Sequence, residues 1–163
     1  MEFDTLSMYG FSIEYPSSWR IELDSKSKRE KGTVAFKSPE KIAIFLSWGP
    51  LEDAKKRYAS SREQAEGSVE RIRGTGGVKD VEVLEMKSLE VNSHEATFTH
   101  TRIVMERPLF VRIKPLRQKA RSLHLHCQES ERYFVLYLVA KEEETDKYAE
   151  VFDHMMKSIK CHK

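Results

Sequence analysis

Amides are scarce in this chain: Asn92, Gln64, Gln118 and Gln128 are the only ones among 163 residues. Cysteine is scarcer still. Cys127 and Cys161 show no close spacing, so a reduced, cytoplasmic compartment is the default expectation. No segment approaches the ~20 consecutive apolar residues of a membrane helix, and no membrane partner is expected. The start, Met1-Glu2-Phe3-Asp4, is acidic and lacks the basic stretch and apolar run of a secretory signal. A formal net charge of +2 is too small to demand an anionic partner. Signatures of catalysis are missing as well. There is no Gly-x-Ser-x-Gly elbow. Gly74-Thr75-Gly76-Gly77 follows a helical pattern rather than a strand and lacks the Gly-Lys-Ser/Thr ending of a phosphate loop. No catalytic residue and no cofactor is assigned, and the chain is expected not to be an enzyme.

What is present is charge and order. Charged residues make up 33% and hydrophobic ones 39%, and the latter recur at regular periods, which separates the chain from disordered sequences. The length suits one domain, residues 1–163, with a core that needs no staples. Few amides and many charges form the pattern expected of proteins from hot environments.

Two amphipathic runs open the chain. Phe11, Ile13 and Tyr15 alternate with polar residues, as do Trp19, Ile21 and Leu23, so the spacing predicts a hairpin around Pro16-Ser17-Ser18. Ser25 to Lys31 reads as a basic loop, and Gly32 to Phe36 as a strand. Ile42 to Trp48 and Tyr133 to Val139 are apolar on both alternating faces, which places them in the middle of a sheet covered on both sides. Leu51, Ala54, Tyr58, Ala65, Val69 and Ile72 define one long helix from about Leu51 to Arg73, stopped at Gly74. Strands follow over Val81 to Val91, His94 to Glu106, Leu109 to Lys114 and Ser122 to Cys127. In the second of these, Phe98 and Val104 face away from Thr97, Thr99, Thr101 and Ile103. A closing helix begins at the acidic Glu142-Glu143-Glu144, where the helix dipole favours acids, and buries Tyr148, Val151, Phe152, Met155 and Ile159. Short turns between strands imply antiparallel pairing. The fold class is therefore α+β: an α/β/α sandwich with a central, predominantly antiparallel sheet and helices on both faces.

The opening Tyr9-Gly10-Phe11-Ser12-Ile13-Glu14-Tyr15-Pro16, followed by Ser18-Trp19, resembles the start of the PsbP-like superfamily. That superfamily includes the extrinsic oxygen-evolving protein of photosystem II and a Ran-binding nuclear import factor. The order of strands, middle helix, strands and C-terminal helix is also similar. The resemblance implies an α/β/α sandwich and, usually, a non-catalytic binding or assembly role. Photosynthetic members carry targeting peptides, which this chain does not display, and no partner-binding residue of the superfamily maps onto a position here.

The residues themselves offer three candidate sites. His124 and His126 lie two apart on a strand and project from one face, within reach of one metal ion, with His100 as a third ligand and Cys127 turned to the other face; a helix or loop half-covering two histidines explains them equally. Cys161-His162, at the C-terminus, is either a ligand or redox pair or a frayed end. Arg112, Lys114, Arg117, Lys119 and Arg121, with Arg102 and Arg107 beside them, form a basic hairpin able to take nucleic-acid phosphates or an acidic protein surface; a solvated, charge-rich loop explains them as well. No nucleic-acid-binding motif accompanies them. The function expected is a small binding or assembly module with a protein partner, acting as monomer or dimer. The alternatives are polyanion binding through residues 112–121 and metal binding at His124 and His126.

Overall fold

The computed structural model describes residues 1–106 and 116–163. Strand β1 (Phe3–Met8) pairs with β2 (Phe11–Pro16) through a two-residue turn, Tyr9-Gly10, whose φ angles of 50° and 81° are both positive. That is the twist a tight hairpin needs, and glycine supplies half of it without strain. The chain continues through β3 (Arg20–Leu23), β4 (Gly32–Lys37) and β5 (Ala43–Pro50), then helices α1 (Leu51–Lys55) and α2 (Ser61–Arg73). Strands β6 (Val78–Val91), β7 (His94–Met105), β8 (Arg117–Cys127) and β9 (Arg132–Lys141) follow, and α3 (Glu142–Lys147) and α4 (Ala149–Ser158) close the chain. The large sheet has seven strands in the order β3-β4-β5-β9-β8-β7-β6, and every pairing among the described residues is antiparallel.

The two strands apolar on both sides, β5 and β9, lie side by side at the centre of this sheet. Helices sit on both faces, as an α/β/α sandwich requires. Residues paired across a ladder project to the same side, so the register assigns the faces. One row runs Val34, Leu46, Leu136, Leu123, Phe98 across five strands. These five are all buried and pack with Phe152, Met155 and Met156 of α4. Beside α4, the β1–β2 ribbon lays Phe11 and Ile13 on the same core, and Phe11 meets the rings of Trp48 and Phe134 at 4.9 and 5.3 Å. On the opposite face, α2 packs over β6, β7 and β8 around Val69, Val81, Ile103 and Ala120.

Four expectations change. The closing helix expected from Glu142 onward is two helices, α3 and α4, divided at Tyr148. Strands β2 and β3 do not form a hairpin. Pro16-Ser17-Ser18 is a turn, closed by Trp19 N–H donating to Pro16 O at 2.9 Å, but it carries the chain from one layer to another. Phe11 and Ile13 reach the core only from above the large sheet, so β2 turns back onto β1 while β3 joins β4. The helix expected over Leu51 to Arg73 is two helices. Ser60 caps α2, its hydroxyl accepting from Glu63 N–H at 3.2 Å while the Glu63 carboxylate accepts from Ala59 N–H at 2.7 Å. The spacing Ser60-x-x-Glu63 is a helix-start signal in the sequence itself. Finally, β8 is one strand from Arg117, where a loop up to Arg121 was expected. The strand expected at Leu109 to Lys114 lies outside the described residues, as do Arg107, Arg112 and Lys114.

Candidate functional site

On β8, His124 and His126 do share a face, and α2 covers both. His124 Nε2 lies 3.2 Å from Ser68 Oγ, and His126 Nε2 lies 2.7 Å from Gln64 Oε1, so His126 donates there. Both rings are buried, each with an unpartnered Nδ1. Burial, with the neighbouring His126 and Arg71 adding to it, drives His124 down to about 4, and burial lowers His126 as well. Both are therefore neutral near pH 7. The third ligand expected, His100, pairs with Arg121 and projects from the other side of the sheet. Two neutral imidazoles bonded to one helix are what these residues supply.

The basic residues of β8 share the face opposite the histidines. Lys119 is held by Asp146, both carboxylate oxygens lying 3.1 Å from Nζ. Arg102, its ladder partner, donates to Glu142 and to Glu82. The two acids Glu142 and Asp146 come from α3, so the acidic helix start docks on the basic strand. Arg121 turns its guanidinium over the Phe98 ring at 5.9 Å. Arg117 is exposed. Lys119 and its neighbour Arg102 are thus compensated by acids, whereas Arg121 meets a ring and Arg117 faces solvent.

What the register leaves open lies on the α2 face. One row there reads Ala35, Phe45, Tyr137, Ser122, Thr99, Met86. Helix α2 covers its second half. In its first half Ala35 is buried, whereas Phe45 and Tyr137 stay open to solvent in part. Phe45 and Tyr137 stack with centroids 5.2 Å apart and rings 17° from parallel, both partly solvent-accessible. Val139, next along β9, is 45% exposed. Beside Phe45 a groove is lined by Ala35, Thr33, Glu22 and Lys37, with Glu22 bridging Lys37 at 2.6 Å and Arg20 at 2.8 Å. Partial burial raises the Tyr137 hydroxyl above its usual range, so it stays a neutral donor. The feature is an apolar, aromatic patch with a charged rim. Sequence periodicity identified these strands as apolar on both sides; it does not reveal that one helix, shortened at its start, covers only half of one side.

A second unforeseen feature lies at the end of the sandwich. Arg132, 2% exposed, packs against the rings of both Phe11 and Phe134 at 5.6 and 5.2 Å. Its Nη1 donates to Tyr9 O and Arg29 O, and its Nη2 to Cys161 O at 3.3 Å. Burial lowers its pKa from the ordinary arginine value. Cys161 is buried rather than frayed, and it is disulfide-bonded to Cys127, with Cα atoms 6.2 Å apart. The reduced state expected from the spacing of the two cysteines is not the state observed: their separation of 34 residues hides that β8 and the chain end are neighbours.

No family model matches the chain, and no curated protein matches its sequence. Solved structures do. The cyanobacterial PsbP (CyanoP) of Synechocystis sp. PCC 6803 superposes with a TM-score of 0.65 at 11% identity, over 97% of this chain and 91% of that one. The Saccharomyces cerevisiae Ran-binding protein Mog1p gives 0.64 at 8% identity, over 99% and 96%. Among the described residues no helix is long and apolar enough to cross a membrane. Over nearly its whole length, this chain has the fold shared by CyanoP and Mog1p.

Proposed function

We propose that this protein is a non-enzymatic binding module whose docking surface for a protein partner is the open half of the sheet, centred on Phe45, Tyr137 and Val139. The observation that carries this reading is the stacked pair Phe45 and Tyr137, partly solvent-accessible, with Val139 45% exposed beside it, on the face where α2 packs over β6, β7 and β8. Aromatic side chains at the centre of a patch with charges at its rim match the anatomy of protein interfaces. The fold lends support, since one protein of this shape is a Ran-binding protein. That Lys119 of β8 and Arg102 of β7 already hold carboxylates from α3 and β6 speaks for a protein over a polyanion. The site of action we propose is consistent with a disulfide: an oxidising compartment, or the interior of a hyperthermophile, where intracellular disulfides are frequent and where the amide-poor, charge-rich composition belongs.

The test is site-specific photocrosslinking in the native host, with a benzophenone amino acid at position 45 or 139 and, as control, at the partly exposed α4 position 153. A single discrete protein adduct from 45 and 139, absent from 153 and absent when Tyr137→Ser is added, supports the reading. Equal labelling at all three positions refutes it. An adduct to a second copy of this chain reassigns the face to self-association.

A further inference from the structure

The chain end gathers four metal-binding side chains from three separate segments. His94 opens β7, Cys127 ends β8, and Cys161 and His162 follow α4. One ligand atom each of His94, Cys161 and His162 lies within 4.8 Å of the others, and Cys127 is bonded to Cys161. The two imidazoles face each other, Nε2 to Nε2, at 3.1 Å. His162 Nδ1 lies 2.8 Å from Lys163 O; a carbonyl only accepts, so Nδ1 carries the proton and the Nε2 lone pair points at His94. Two nitrogens placed this way share one proton at most, whereas a cation between them engages both lone pairs.

The spacing fits zinc. A tetrahedral ion with Zn–N near 2.05 Å and Zn–S near 2.3 Å separates its nitrogens by about 3.3 Å and its sulfurs by about 3.8 Å. The nitrogens already stand at 3.1 Å, and two cysteines whose Cα atoms are 6.2 Å apart reach the sulfur spacing by side-chain rotation. Two cysteines and two histidines are a standard structural zinc donor set. The frame does not depend on the disulfide. Asn92 and Ser93, at φ 48° and 71°, turn the chain into His94, and Asn92 Nδ2 donates to Ile159 O. Lys160 exchanges two backbone hydrogen bonds of 2.9 Å with Ser12. Arg132 holds Cys161 O.

We infer that Cys127, Cys161, His94 and His162 form a redox-gated zinc site, closed as a disulfide when oxidised and loaded with one Zn²⁺ when reduced. A disulfide sulfur carries no thiolate charge and is a poor ligand, so the two states exclude each other. A dithiol reductant supplies the exchange: its two sulfurs become a disulfide, the Cys127–Cys161 bond takes up two electrons and two protons, and the two protons leave to solvent as Zn²⁺ binds the thiolates. This site is separate from the open sheet face and stands or falls independently of it.

The experiment uses the full chain, prepared without a histidine tag, as oxidised protein and as protein reduced with a dithiol that is then removed under anaerobic conditions. Zinc alone is added, and bound metal is counted after equilibrium dialysis; Co²⁺ in place of zinc reports thiolate ligation by its absorption spectrum. The reduced protein should bind one zinc per chain and the oxidised protein less than a tenth of that. His162→Ala, at an exposed position that leaves the core untouched, should weaken zinc binding at least tenfold, and so should His94→Ala. His124→Gln with His126→Gln should leave it unchanged. Reduced protein without stoichiometric zinc, equal uptake in both redox states, cobalt spectra without thiolate bands, or His162→Ala binding like wild type would each overturn the inference.

Discussion

The two faces of the central sheet are built from the same two strands yet finished differently. On the α4 side the row Val34, Leu46, Leu136, Leu123, Phe98 is sealed by Phe152, Met155 and the β1–β2 ribbon. On the α2 side the equivalent row holds Phe45 and Tyr137 in partial contact with water before it reaches the strands over which α2 packs. The sealed face sets stability. The half-sealed face keeps a patch whose burial a partner can complete, and part of the driving force for folding is left available for binding.

The strongest way to break this contrast is to truncate the sealed face. Phe152→Ala removes a fully buried ring and should destabilise the protein by about 3–5 kcal/mol, read from urea unfolding at pH 7.5. A change under 1 kcal/mol would mean that α4 is not the lid it resembles. The next effect is covalent. In metal-free protein, loss of the Cys127–Cys161 bond frees a loop of 34 residues' separation and should lower stability by about 4 kcal/mol on the chain-entropy scale, measured with Cys127→Ala/Cys161→Ala against wild type.

The covered half of the other face is probed by pH. His124 titrates at about 4 in the folded protein against an ordinary 6.5, because burial disfavours its charged form. Between these values the unfolded chain holds the extra proton. The contribution is thus complete above pH ~6.5 and is lost as pH falls toward 4, a decline on the order of 3 kcal/mol. His124→Gln should flatten that part of the stability profile, whereas an unchanged slope would place His124 in water. The smallest effect belongs to the open half. Val139→Ser at a 45% exposed position should shift stability by roughly 0.5 kcal/mol or less; a loss above 1.5 kcal/mol would show that the patch is core.

Much of this fold was legible from the residues. Strands β5 and β9 announce a central position because apolar residues occupy both of their alternating faces, and the acids Glu142 to Glu144 announce a helix start. The break before α2 was also written, in Ser60-x-x-Glu63, but an apolar stripe continuing through Tyr58 outweighed it. The pairing of β2 was not legible, because alternation marks a strand without naming its neighbour. The sites were read least well. His124 and His126 share a face as their spacing dictates, yet what lies above that face is a tertiary fact: Gln64 and Ser68 of α2. Likewise Cys127, Cys161, His94 and His162 are scattered through the sequence, and only the return of the chain end to β7 and β8 brings them together.

The central claim is that the open aromatic patch of Phe45 and Tyr137, beside Val139, is where this protein meets another. Crosslinking from position 45 tests it most directly: one discrete protein adduct there and none from position 153 of α4 is the predicted result, and labelling that does not distinguish the two positions contradicts it.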